Sequence, residues 1–274
     1  MVKKYVTGLC IMTLLVLSFV VNVKAEENKN VILATTTCVQ DTGLLEVLLD
    51  SFQKNSGFIV KAIAVGTGQA LQMGRLGEAD ILWVHSPADE KQFVDEGCGI
   101  NRTTFMHNDF VILGPKNDPA KVMGAKTAAE AFKKISEAKA LFVSRGDNSG
   151  THKKEKAVWK DAGVEPQKDV YLEVGQGMAQ TLAVANEKEA YVLADRSSYL
   201  ALNKSIGLAI VFEKDPALIN RYSLILVNPE KFPKVNAKGA QALFNFLLSK
   251  TSREIIEPFG QAKFGEQLFF WDLK

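Results

Sequence analysis

Two short segments of the chain combine hydroxyl side chains with the start of a helix. They are residues 34–38, with three consecutive threonines, and residues 144–151, with two serines and a threonine. Each follows an apolar run typical of a strand and precedes apolar positions at helical spacing. The first backbone N–H groups of a helix have no partner within it, and the helix dipole is positive there. We therefore expect each segment to bind an anion, although a capped helix start explains either one taken alone.

The second segment adds a permanent positive charge and close backbone approach. Arg145 offers a planar fork of N–H donors, and glycine at 146 and 150 lets the backbone come near a ligand. A third turn, residues 66–68, lies between a strand-like run and a helix and can add backbone donors. The residues that these patterns predict to bind the anion are Thr36, Thr37, Thr67, Gly68, Ser144, Arg145, Ser149, Gly150 and Thr151.

The balance of donors and acceptors indicates which anion is bound. A tungstate, molybdate or sulfate dianion carries no proton at neutral pH and needs only N–H and O–H donors, whereas a phosphate that keeps a proton also needs an acceptor. Asp147 could accept that proton, but we expect it to hold Arg145 or to cap the following helix. Asp195 is expected to cap its own helix, which leaves Arg196 either paired nearby or as a second anion ligand.

Catalytic and cofactor motifs fit the chain poorly. Ser149, His152 and Asp147 are close in sequence, but their spacing is unlike a hydrolytic triad and no Gly-x-Ser-x-Gly elbow is present. The three histidines show no paired spacing for a metal, and residues 66–70 lack the third glycine of a dinucleotide loop. We predict a protein without catalytic activity, cofactor or metal cation, the alternative class being a secreted phosphate-ester hydrolase or transferase.

The N-terminus has the features of a signal peptide. Lys3 and Lys4 precede an apolar run over residues 8–21, and residues 23–25 fit a cleavage site. The run is short for a membrane span, so we predict a periplasmic mature chain that is not inserted in the membrane. Loss of three lysines lowers the formal charge from +2 to −1. No large basic face is left for nucleic acid.

The numbers of cysteines and of apolar residues indicate what can stabilise the fold. Cys38 lies in the first anion turn and Cys98 in a glycine turn, and a disulfide between them is possible but not implied. One pair does not make a disulfide scaffold. With 47% apolar residues, the chain can bury one large core or two smaller ones.

Strand-like and helical patterns alternate, which predicts an α/β architecture with mostly parallel sheets covered on both faces. The first series has strands near 31–35, 58–65, 80–84 and 104–114, with helices near 42–55, 68–76 and 88–96. A second series follows residues 115–119, with helices near 127–138, 150–162, 178–187 and 196–203 and strands near 141–143, 169–173 and 190–194. The apolar run 222–227 and two closing helices then return to the first unit.

Five segments spread along the chain resemble one family. They are residues 33–45, 65–71, 77–82, 144–147 and 194–196. In this order they are similar to the tungstate-binding receptors of ABC importers, which are related to molybdate and phosphate receptors. One position departs from that family, because Cys38 stands where it usually has serine, and a thiol is a weak donor.

The resemblance implies a type II periplasmic binding protein with two lobes, each a mostly parallel sheet flanked by helices, joined by a two-crossing hinge near residues 113–115 and 220–224. We expect lobe 1 at residues 26–114 plus 221–274 and lobe 2 at residues 115–220, with the ligand between them. The resemblance adds Cys38, Gly177 and Met178 to the candidate ligands.

The function implied is capture of tungstate in the cleft and its delivery to the permease subunits of an ABC transporter, by a monomer. Molybdate has the same charge and nearly the same size, so a molybdate receptor is an alternative, as is a phosphate or sulfate receptor. Helix faces near Glu90, Lys91, Lys153 and Glu155 are candidates for docking the permease, although a solvated face is the simpler explanation.

Overall fold

The protein is described over residues 28–274 by a computed structural model. The predicted signal peptide, residues 1–25, lies outside the described residues. Within residues 28–274, no helix is both long enough and apolar enough to cross a membrane. The chain forms two sheets that share one long strand and are flanked by helices.

The first sheet has strands from both ends of the chain. They are β1 (Asn30–Thr36), β2 (Ile59–Val65), β3 (Ile81–Val84), β4 (Gly99–Gly114), β9 (Ile219–Val227) and β10 (Phe270–Trp271). Their order across the sheet is β2, β1, β3, β9, β4, β10. β1, β2 and β3 run parallel, whereas β9 is antiparallel to both β3 and β4.

The second sheet is formed by the middle of the chain and the last residues of β4. Its other strands are β5 (Phe142–Ser144), β6 (Tyr171–Glu173), β7 (Tyr191–Asp195) and β8 (Ala209–Phe212). Their order is β8, β4, β7, β5, β6, with β5, β6 and β7 parallel and β4 antiparallel to β7 and β8. The prediction of parallel sheets therefore holds for β1–β3 and β5–β7, and not for the strands that connect the two sheets.

The connection between the sheets is a continuous strand instead of a loop. β4 pairs with β9 up to Asp109 and with β7 from Phe110, so it passes from one sheet to the other between these residues. The return path is the 3-10 turn Pro216–Leu218, which leads directly into β9. Both crossings lie a few residues before the positions expected from the sequence. The exact lobe boundaries, 114 and 220, remain predictions.

Helices cover both faces of each sheet. They are α1 (Thr37–Gln40), α2 (Leu44–Ser56), α3 (Thr67–Leu76), α4 (Pro87–Asp95), α5 (Ala128–Glu137), α6 (Gly150–Asp161), α7 (Met178–Glu187), α8 (Arg196–Leu202), α9 (Ala237–Leu247), α10 (Lys250–Ile256) and α11 (Gln261–Phe264). On β1, Leu33 packs into the cluster that includes α2 and α9, and Ala34 packs into the cluster that includes α3 and α4. On β5, the neighbouring residues Phe142 and Val143 likewise pack into two different hydrophobic clusters. Both sheets are thus buried on both faces, as parallel βα units require.

The longer elements confirm the sequence pattern within a few residues, and several of the short ones do not appear in it. β8, β10 and α11, with two to four residues each, were not predicted, whereas the similarly short β3, β5 and β6 were. The strand expected at 104–114 begins earlier, at Gly99.

Candidate anion-binding site

Three turns of the first sheet lie side by side at one edge. In parallel register, Thr36 of β1 is opposite Val65 of β2, and Ala34 is opposite Leu82 of β3. The carboxyl ends of these strands therefore meet at the same edge, which is where ligands bind in open α/β sheets. The turns that follow the three strands, residues 37–38, 66–68 and 85–86, are neighbours there.

The second anion turn begins where β5 ends, at Ser144. Ser149 caps α6, because its Oγ accepts the His152 backbone N–H at 3.3 Å. The Asp147 carboxylate accepts the Ser149 N–H at 3.1 Å, which fixes the loop before the helix. The N-terminal N–H groups of this twelve-residue helix thus face the first sheet.

The two turns touch across the cleft between the sheets. A Cβ placed on Gly68 would lie 3.3 Å from the Asn148 carbonyl oxygen, and one placed on Gly150 would lie 2.5 Å from Cε1 of His85. His85 follows β3 and Gly150 begins α6, so these approaches join residues of different sheets. The structure is therefore closed at the candidate site.

Arg145 reaches across the cleft while being held on its own side. Its Nε and Nη2 donate to Asp147 Oδ2 at 3.1 and 2.5 Å, and its Nη1 lies 3.8 Å from Sγ of Cys38. The side chain is only 3% exposed. The expectation that Asp147 holds Arg145 is confirmed, and a buried guanidinium ends up beside the first anion turn.

Four of the predicted ligand hydroxyls are buried and unpaired. The Oγ1 atoms of Thr36, Thr37, Thr67 and Thr151 have no hydrogen-bond partner among residues 28–274. By contrast, the neighbouring Thr35 donates to the Trp83 carbonyl at 3.1 Å. Leaving a buried hydroxyl unpaired costs about 1–3 kcal/mol, so several at one edge indicate a site that a polar ligand completes.

Cys38 is a neutral thiol next to Arg145. Burial, and then the negative charge of Asp195, raise its pKa to about 12, while Arg145 opposes the shift. A thiol with such a pKa is protonated at neutral pH and can donate only weakly. Cys38 and Cys98 are both free, so the disulfide left open by the sequence does not form here.

Asp195 is the centre of a buried network behind the site. Its Oδ2 accepts hydrogen bonds from Asn108 Nδ2 at 2.7 Å, and from Asn220 Nδ2 and the Tyr222 hydroxyl, each at 3.1 Å. Asn108 and Asn220 are opposite each other on β4 and β9, where the chain crosses between the sheets. Asp195 also caps α8 through the Ser198 N–H, as predicted.

This network fixes the protonation of His85. Asn220 donates through Nδ2 to Asn108 and to Asp195, so its Oδ1 must accept from Nδ1 of His85, 3.0 Å away. Burial and the charge of Arg145 lower the pKa of His85 to about 4. His85 is therefore a neutral ring that packs against Gly150 of the opposite sheet.

Arg196 lies apart from this cluster. Its Nε and Nη2 form a bidentate pair with Asp109 at 2.7 Å each, and Nη2 also binds Glu213 at 2.5 Å. These carboxylates raise the pKa of Arg196 above its usual range. The residue lines a separate cavity of about 560 Å³ with Phe270 at the hinge. The pairing alternative considered for Arg196 is therefore the one observed, and its place among the anion ligands remains an untested prediction.

The loop before α7 runs beside the second anion turn. The Gly175 N–H donates to the Arg145 carbonyl at 2.7 Å. Gly177 is the N-cap of α7, and Met178 is fully buried in the core. Met178 can therefore offer a ligand its backbone N–H group but not its side chain.

The residues considered as a triad do not form one. His152 Nδ1 accepts the Asn148 backbone N–H at 3.0 Å, and Asp147 is engaged by Arg145 and Ser149. Ser149 Oγ contacts the backbone of His152 and not its ring nitrogen. A nucleophile with its base and orienting carboxylate is not assembled from these three residues.

Two of the charged residues proposed for docking are not on the surface. Glu90 is fully buried, where it accepts hydrogen bonds from the Ser86 N–H and from Arg102. Glu155 is 2% exposed and accepts from the Tyr171 hydroxyl at 2.7 Å. Helical periodicity alone did not reveal these burials, because Arg102 of β4 and Tyr171 of β6 come from other elements.

Sequence reasoning overlooked His85. The residue is a single histidine after a four-residue strand, without any motif around it. Its approach to Gly150 depends on the closure of the two sheets, for which the local sequence carries no signal.

A mixed α/β fold of two sheets that meet at converging helix N-termini is the architecture of the two-lobed periplasmic binding proteins. The PBP superfamily domain matches residues 23–251 of this chain. The tungstate-binding protein TupA of Peptoclostridium acidaminophilum is 48% identical over 90% of this chain and 87% of its own length.

Two solved structures agree with that similarity. The tungstate ABC transporter protein of Geobacter sulfurreducens is 46% identical with a TM-score of 0.77, over 84% of this chain and 99% of that one. The tungstate-binding protein TupA of Desulfovibrio alaskensis G20 is 43% identical with a TM-score of 0.76, over 89% and 99%. The chain belongs to the PBP superfamily and, within it, to the family that these binding proteins represent.

Proposed function

We propose that this protein is a periplasmic receptor that captures tungstate in the cleft between its lobes and delivers it to the permease of an ABC transporter. The observation that carries this proposal is the buried Arg145, which reaches from one lobe to Cys38 of the first anion turn. Four predicted ligand hydroxyls, on Thr36, Thr37, Thr67 and Thr151, are buried without a partner among the described residues. The relatives are named as tungstate-binding proteins, which supports tungstate as the ligand.

The polar groups at the site favour an anion without a proton. The carboxylate of Asp147 is engaged by Arg145 and by the Ser149 N–H, and that of Asp195 by Asn108, Asn220 and Tyr222. Both carboxylates are thus already engaged by donors of the protein, which disfavours their use as acceptors for the proton of a bound phosphate ester or hydrogen phosphate. The threonine hydroxyls, the guanidinium and the helix N–H groups suit a fully ionised dianion.

Transport then requires no chemical step. The protein would act without a cofactor, as a monomer, releasing the anion unchanged after export by its N-terminal leader. One relative is named as a tungstate-binding protein and one similar solved structure as a tungstate ABC transporter, which supports this view. The permease is the partner expected to receive the anion, and molybdate is the competing ligand of equal charge.

The test is calorimetric titration of the exported protein with tungstate, followed by competition with molybdate, sulfate and phosphate at matched ionic strength. We expect tight binding of tungstate, no displacement by sulfate or phosphate, and at least a hundredfold loss of affinity in Arg145→Ala, since the variant lacks the buried cation at the site. Arg75→Ala, which removes an arginine paired with Glu96 on the surface, is the control. Binding by Arg145→Ala as tight as that of the parent would show that the site is elsewhere.

A further inference from the structure

One ion pair joins the two lobes at the candidate site. Lys153 in the first turns of α6 contacts Asp89 of α4 through Nζ and Oδ2. α4 packs in the core of the first sheet through Phe93, and α6 packs in that of the second through Trp159. The pair therefore bridges the cleft instead of reinforcing one lobe.

The pair lies over the start of α3. A Cβ on Gly68 would be 4.0 Å from the Lys153 ammonium and 3.3 Å from the Asn148 carbonyl. The unpaired hydroxyl of Thr67 belongs to the same helical turn. Separation of the lobes would have to break the Lys153–Asp89 contact before this turn could open to solvent.

The start of α4 stabilises the ionised form of Asp89. The Ser86 hydroxyl donates to the carboxylate, which lies in the first turn of α4 near the positive end of the helix dipole. Burial acts to raise the pKa of Asp89, but hydrogen bonds from Lys153 and Ser86 outweigh it and lower the pKa. Asp89 is thus ionised at neutral pH.

We propose that the Asp89–Lys153 pair is a latch that forms when the lobes close and slows release of the bound anion. The proposal rests on the proposed function for its ligand. Only the closed state contains the contact, so the pair shifts the equilibrium between open and closed protein in favour of the closed state. Asp89 and Lys153 are then positioning residues that do not touch the anion.

The experiment measures release directly. Protein loaded with tungstate is mixed with excess molybdate, and the tungsten that remains bound is followed with time. For Asp89→Asn and Lys153→Met we expect release to be about three- to fivefold faster, the range that partly exposed ion pairs support. The double variant should be no faster than either single one, because both remove the same contact.

A matched control is the Lys91–Asp95 pair on the same helix. These side chains are 74% and 58% exposed, compared with 29% and 28% for Lys153 and Asp89. Lys91→Met and Asp95→Asn change charge in the same way within one lobe, so release should keep its parental rate.

Two results would overturn the latch. Parental release rates in both latch variants would show that the contact does not hold the lobes closed. Slower release in Asp89→Asn with faster release in Lys153→Met would show that Lys153 binds the anion itself.

A readout without ligand separates this proposal from the proposed function. In the anion-free protein, the latch variants should exchange the amide hydrogens of residues 66–70 faster than the parent, since the lobes open more often. Failure of the parent to bind tungstate would contradict the proposed function, whereas unchanged exchange would contradict the latch.

Discussion

At the scale of single residues, the unpaired hydroxyls distinguish a binding site from a structural turn. Thr36→Val removes a buried hydroxyl that has no protein partner in the described chain. We expect the anion-free protein to become about 1 kcal/mol more stable and tungstate binding to weaken about tenfold, since the hydroxyl costs desolvation when empty and donates when occupied. Urea unfolding and calorimetry measure the two effects.

The adjacent threonine supplies the control for this prediction. Thr35→Val loses a hydrogen bond to the Trp83 carbonyl, so the protein should lose about 1 kcal/mol of stability while binding is retained. Destabilisation of Thr36→Val to the same extent as Thr35→Val would mean that both hydroxyls are structural.

The raised pKa of Glu155 predicts how the free energy of unfolding depends on pH. Burial raises its pKa from 4.5 to about 7. The folded protein therefore binds more protons than the unfolded chain between these values, and the contribution of Glu155 to stability falls as the pH rises through them. Above pH 7 the penalty reaches about 3 kcal/mol.

Glu155→Gln should remove this penalty. We expect the variant to be more stable than the parent at pH 8 and nearly equal to it at pH 4.5, as measured by urea unfolding at both values. Glu165→Gln, at an exposed position, is the control. Lower stability of Glu155→Gln at pH 8 would show that the ionised form makes contacts strong enough to offset its burial.

At the scale of elements, the start of α6 must approach the turn after β3 without a side chain between them. Gly150→Ala would place a Cβ 2.5 Å from His85 Cε1 and 3.0 Å from the His85 carbonyl oxygen. Since neither the ring nor the backbone there is free to move far, the lobes must stay apart. We expect tungstate affinity to fall more than tenfold while each lobe keeps its fold.

Circular dichroism and calorimetry test this prediction together. Gly124→Ala is the control, because no heavy atom lies within 4 Å of the added Cβ in the described structure. Parental affinity in Gly150→Ala would mean that binding does not require the closed approach of α6.

At the scale of the whole molecule, a ligand bound between the two lobes should raise the free energy of unfolding of the whole protein. A ligand that binds only the folded protein stabilises it by about 4 kcal/mol at a thousandfold excess over its Kd. We expect tungstate to raise the free energy of unfolding of the parent by about this amount and that of Arg145→Ala by no more than about 1.4 kcal/mol, because a hundredfold weaker Kd leaves at most a tenfold excess. Thermal unfolding with and without tungstate measures the difference, and an equal shift in both proteins would contradict a site at Arg145.

The sequence alone determined the local parts of this protein. Apolar patterns predicted β1 and β5 and the polar turns after them, because the patterns of strands and helices depend on residues that are close in sequence. Asp195 as a cap, and Asp147 as the partner of Arg145, also followed from short spacings.

Tertiary structure alone decided which of these parts meet. The contacts of Arg145 with Cys38 and of Gly150 with His85 join residues far apart in the chain. They depend on how the two sheets, which share β4, are oriented towards each other. The burial of Glu155 and the ion pair of Arg196 with Asp109 could not be predicted from the sequence for the same reason. Local patterns report the structure of a segment, whereas burial and charge pairing depend on what the rest of the chain places beside it.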